Sequence, residues 1–84
     1  MKSELSKKAR AALTELILGS LDLSAASYKV QDSGLSPTNQ DLFIEKVGDI
    51  LAVVGIIVEE LEIPMEVLKA AYDSKLSTLS KKHK

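Results

Sequence analysis

Four acidic residues in this chain have the type and spacing to do chemistry. Glu15 and Asp22 lie seven positions apart, and Glu45 and Asp49 lie four apart. On helices, those spacings put each pair on one stripe. Asp49 is the most unusual, because from Val47 to Val58 the stretch "EKVGDILAVVGIIVEEL" is otherwise apolar. Lys46 precedes Asp49 by one turn and faces roughly the same way. Helical bundles hold hard divalent cations with carboxylates that converge from two facing helices. Magnesium takes a carboxylate or two, several waters and the oxygens of a substrate phosphate. Asp22, Asp49, Glu45 and Glu15 are therefore the candidate metal ligands. The opposing reading is that charges along a helix rim simply keep that rim solvated.

The carboxylates can meet only if their elements are antiparallel helices. Leu5, Ala9, Ala12, Leu16, Gly19, Leu23, Ala26 and Val30 alternate steps of four and three, a helical seam of heptad-like spacing. This predicts a first helix over about residues 3–30, with Ser3 as its N-cap and Glu4 at the positive end of its dipole. The turn formers of "QDSGLSP" end it. Gly34 is free to take a positive φ, and Ser36 caps a second helix with Pro37 at its first position.

The second helix is expected over 37–62. Phe43, Ile44, Val47, Ile50, Leu51, Val54, Ile57, Val58 and Leu61 cover well over half its circumference, more than one neighbouring helix can bury. Gly48 and Gly55 share a face and invite another backbone to approach. Pro64 opens a third helix over 64–80, with Met65, Leu68, Ala71, Tyr72, Leu76 and Leu79 as its apolar stripe; residues 81–84 form a basic tail. The expected fold is all-α. One domain, 1–84, combines an antiparallel helical hairpin with a third helix, and two chains complete a four-helix core.

Composition narrows the partners. The chain has 84 residues and no cysteine, so neither a disulfide nor a thiolate metal site can staple it. A chain this short gains from a second copy, which makes a homo-oligomer, most simply a dimer, the expected state. A hydrophobic fraction of 45% with only 4% aromatics fits aliphatic helix packing. A net charge of −1 gives no broad field for nucleic acid. The opening "MKSELSKKAR" is charged where a signal peptide is apolar, and the central apolar run is shorter than the roughly 20 residues that span a bilayer. These features predict a soluble, cytoplasmic protein with no membrane partner.

The stretch "NQDLFIEKVGDILAVVGIIVEELEIPMEVLKAAYDSKL" resembles the MazG-like, all-α nucleoside triphosphate pyrophosphohydrolases. In that family a Glu-x-x-Asp motif sits in a context like "EELGDVL", with an apolar stretch and a third helix after it. Here "EKVGDIL" takes its place; Asp49 matches the aspartate and Lys75 a later lysine. Asn39 fits the phage-type members. Counting back from Lys29 sets the first-helix motif, Glu-Glu-x-x-Glu, on "LGSLD", Leu18 to Asp22. The likeness spans about residues 12–76 and is best in the second helix. It implies a magnesium cofactor held at the motif positions Asp22 and Asp49, with Glu45 and Glu15 as candidate substitute ligands and Glu45 and Asp49 in the catalytic role. It also implies a nucleotide met by Lys29, Asn39 and Lys75, with Lys46 placed to meet a phosphate directly. The implied reaction is attack of water at the α-phosphorus, giving a monophosphate and pyrophosphate.

The chain departs from that pattern where the charge matters most. Leu18 and Gly19 replace the paired glutamates, Asp22 is a shortened third, and Lys46 stands where Glu-x-x-Asp needs its glutamate. A cation about 4 Å from a metal ion costs several kcal/mol even at an effective dielectric near 20. Either the metal site is lost, or Glu45 and Glu15 have rebuilt it with Lys46 on a phosphate. Lys46 otherwise neutralises Asp22 or Asp49 in a structural ion pair, the preferred reading. The expected function is that of a degenerate family member, weakly active or inactive, acting as a nucleotide- or protein-binding module. The alternatives are an active magnesium-dependent hydrolase and an unrelated helical interaction protein.

Overall fold

The structure is a computed structural model that describes residues 4–83. Among these residues it is all-helical, with α1 (Lys7–Ser33), α2 (Pro37–Glu60) and α3 (Met65–Lys82) and no strand. The first helix starts later than the seam predicts. Ser3 lies outside the described residues, and Ser6 is the N-cap, its hydroxyl accepting from the Ala9 N–H at 3.0 Å. Glu4 therefore precedes the helix, and the first turn of α1 holds no acid. Lys7, Lys8 and Arg10 crowd the positive end of the dipole, which is unfavourable. The compensation crosses the hairpin, because Ser6 Oγ donates to Glu60 Oε1 at 3.0 Å and brings a carboxylate from the end of α2 to that same pole.

The reversal between the helices follows the turn chemistry. Gly34 takes a φ of 80°, and its N–H reaches Val30 O at 2.8 Å, closing α1. Ser36 caps α2 by accepting from Asn39 N–H at 3.2 Å, with Pro37 at the start of the helix. The Asn39 side-chain amide then donates to Lys29 O at 3.3 Å and Gly34 O at 3.1 Å, tying the end of α1 to the start of α2.

Helix α1 packs against α2, and the contacts Ser6–Glu60, Asp22–Lys46 and Lys29–Asn39 run in opposite directions along the two, as an antiparallel pair requires. The α1 seam faces α2: Ala9, Ala12 and Ala26 are buried, while Leu16, Gly19, Leu23 and Val30 are partly covered. On α2 the buried residue is Ile57. Small residues let the backbones close in; a Cβ added at Gly19 would lie 3.1 Å from Ile50 Cδ1. Gly48 and Gly55 behave differently. A Cβ at either meets nothing within 4 Å, so no backbone of this chain uses the room they leave. Gly48→Ala should therefore stabilise the hairpin by about 0.5–1 kcal/mol, the ordinary gain for a glycine in an exposed helix interior. Urea unfolding followed by circular dichroism measures it, and a loss instead of a gain would reveal a close neighbour at Gly48.

Helix α2 ends at Glu60, short of the expected residue 62, in a left-handed cap. Glu62 has a φ of 55°, its N–H reaches Glu59 O at 3.2 Å, and the Ile63 N–H reaches Val58 O at 3.0 Å. This is the Schellman arrangement, with a glutamate where glycine is usual. Pro64 follows and serves as the N-cap of α3. No Cα of α3 comes within 8 Å of α1 or α2. Local terms support this helix: Glu66 lies in its first turn, Lys81 and Lys82 in its last, and Lys69 Nζ pairs with Asp73 Oδ2 at 2.8 Å. The radius of gyration is 15.2 Å, against about 12 Å for a compact chain of this length. Among the described residues, no helix is long and apolar enough to cross a membrane.

Candidate functional site

The antiparallel register brings the acidic stripes of α1 and α2 to one groove. It has a volume of about 380 Å³, and its walls include Glu15, Leu18, Gly19 and Asp22 from α1 and Asp49 and Ile56 from α2. Three of the four carboxylates named from the sequence thus share a surface. Glu45, one turn before Asp49, is exposed and does not line it. Lys46 is partly buried at the helix interface, and its ammonium lies 4.0 Å from Asp22 Oδ2, with side-chain exposures of 24% and 63%. At this distance, and with Asp22 mostly in water, the pair contributes about 0–1 kcal/mol.

The side chains alone do not form a closed cage for a magnesium ion. Among the described residues, no three acidic or histidine side chains converge closely enough to hold a metal. The cation that meets Asp22 is the chain's own. The two first-helix positions where the resemblance expects glutamates, Leu18 and Gly19, are not ligands either. Gly19 is part of the seam and closes on Ile50, so a glutamate there would push into the helix contact. Leu18 is exposed at the edge of the groove.

The expected nucleotide contacts are scattered. The Asn39 amide is engaged with the backbone of the turn, and Lys29 is exposed, with its carbonyl accepting from Asn39. Lys75 is exposed on α3, away from the α1–α2 pair. Only Lys46 reaches toward the acidic groove.

The sequence reading missed a second concave surface, the apolar groove between α2 and the first half of α3. It measures about 530 Å³, and Leu51 and Val54 face Met65, Leu68 and Tyr72 across it. Its lower end continues past Gly55 and Val58 to Glu59 and Ile63. The signal for it was the breadth of the α2 apolar arc, which marks a surface needing cover without saying how α3 is set against it.

Compared with family models, curated proteins and solved structures, the chain shows no match.

Proposed function

We propose that this chain is a catalytically degenerate relative of the MazG-like pyrophosphohydrolases, working in the cytoplasm as a self-associating, helical binding module. The observation that carries this reading is the Lys46 ammonium 4.0 Å from Asp22, a residue of the acidic groove to which the resemblance gives a magnesium-binding role. An internal cation at that place serves the carboxylate without a metal. It also repels a divalent ion by several kcal/mol, on the order of 4 kcal/mol per unit charge at 4 Å and an effective dielectric near 20. Self-association belongs to the same reading. The chain exposes 6652 Å² of surface, where a compact protein of 9.1 kDa exposes about 4,900 Å².

The test is calorimetric titration with a deoxynucleoside triphosphate, with and without magnesium, beside an assay of pyrophosphate release. The expected result is no magnesium-dependent heat and no release. A second reading, an active magnesium-dependent hydrolase, draws support from Glu15, Asp22 and Asp49 sharing one groove. Robust hydrolysis that Asp49→Asn abolishes would establish that second reading and overturn the first.

A further inference from the structure

Helix α3 runs 18 residues, about 27 Å, with no Cα within 8 Å of another helix; α2 flanks only its first half, across an open groove. Isolated helices of this length are marginal in water, because packing of an apolar face supplies most helical stability. The face is present. Met65, Tyr72, Leu76 and Leu79 are 64%, 63%, 51% and 50% exposed, and across the groove Leu51 is 66% exposed. One chain therefore carries both an open apolar groove and an uncovered apolar helix of matching chemistry. That combination is self-complementary, as a two-fold interface must be.

We infer that two copies exchange α3: each copy's α3 lies antiparallel to the other's, in the groove between the other's α2 and α3. The proposal rests on the self-association put forward above and specifies its geometry. The area agrees. Removing the excess surface of each protomer, roughly 1,700 Å², buries about 3,500 Å² in the pair, within the range of obligate homodimers. The charges agree as well. Glu59 and Glu66 rim the groove beside Lys69, whose ammonium is met by Asp73 at 2.8 Å, while Lys81 and Lys82 end α3. Antiparallel exchange carries the basic end of one α3 to the acidic rim of the other protomer. Gly55 lies in the groove wall with no atom of its own chain near its missing Cβ, leaving room for the incoming helix.

The absence of cysteine makes the geometry directly testable. In Tyr72→Cys, the substituted position is near the middle of the stripe, so antiparallel exchange sets the two thiols close together. Mild oxidation should link most of the protein as dimers. Ala70→Cys, on the opposite side of the helix, should link only slowly. Gly55→Leu reaches into the groove from a position where an added Cβ meets nothing in the protomer, and Leu76→Glu charges the stripe; each should weaken the dimer about 30-fold in sedimentation, with α1 and α2 still helical. A stable dimer in which Tyr72→Cys links no faster than Ala70→Cys would overturn the α3 exchange while leaving self-association in place. A wild-type monomer at micromolar concentration would overturn both. In that case, a small-angle scattering radius near 12 Å would mean that α3 folds back on its own α2. A radius that stays near 15.2 Å would leave the groove to a foreign helix.

Discussion

Lys46→Glu should make the stability of this protein depend on magnesium. The substitution removes the ammonium 4.0 Å from Asp22 and adds a carboxylate on the α2 face that neighbours Asp22 and Asp49. Without metal the new cluster repels itself and lowers stability. A divalent ion reverses that repulsion and contributes binding energy, about 2.7 kcal/mol when present at 100 times its dissociation constant. For a domain of this size that corresponds to a rise in Tm on the order of 10 °C or more. The measurement is thermal unfolding in magnesium and in chelator. The wild type should melt at the same temperature in both, and Lys46→Glu should not. Adding Asp49→Asn to the variant should remove the difference. If the folded variant ignores magnesium, the groove was never the remnant of a metal site. Lys46→Glu is the informative restoration because Gly19→Glu would act on Ile50 as well as on charge.

The largest loss of stability should come from Ile57→Ala. Ile57 is the buried residue of α2, and the other buried positions are alanines of α1. Truncating a buried isoleucine costs about 2–5 kcal/mol through lost transfer energy and the cavity left behind. A chain of this length has a total stability of roughly 4–13 kcal/mol, so the variant should lose a large share of it and, toward the lower end of that range, be close to unfolded at ambient temperature. Ile56→Ala is the control, since Ile56 is 37% exposed and should cost much less. Equal losses in denaturant melts would mean that the helix pair is centred on a different face of α2.

The hairpin was legible in the sequence because its signals are local and agree with one another. The three-and-four alternation of Ala9, Ala12, Leu16, Gly19, Leu23, Ala26 and Val30 describes the face that α1 turns to α2. Gly34, Ser36 and Pro37 each have a narrow conformational use, and the turn uses all three. The start of α1 was less legible. Ser3 and Ser6 are both competent caps, and the choice of Ser6 involves Glu60, which is distant in sequence. Asn39 was assigned a ligand role by resemblance, yet its amide spans the turn, a job set by where Lys29 O and Gly34 O come to lie. Of the acidic residues, Glu15 and Asp22 were a stripe in the sequence and remain one in the groove. Glu45 shares a stripe with Asp49 by spacing but falls outside the wall. Periodicity identifies which residues share a face and leaves open what covers that face. The α2 glycines illustrate the gap: Gly19 of α1 meets Ile50, whereas Gly48 and Gly55, chosen on the same reasoning, meet open space.

If a second copy covers α3, the chain has two units that should respond differently to dilution. The α1–α2 pair holds its caps, its turn and its buried residues within one chain, so its backbone amides should keep their protection from solvent exchange at any concentration. The amides of α3 are protected by whatever lies on the stripe from Met65 to Leu79. If that cover is a second copy, the ordered length of the chain is set by how many copies are present: at low abundance the chain is a two-helix hairpin with a fraying, protease-accessible tail, and at high abundance it is three helices long. With a second copy as that cover, survival against proteolysis would be coupled to the protein's own concentration, and the Glu62–Pro64 turn would bound the part that folds in company.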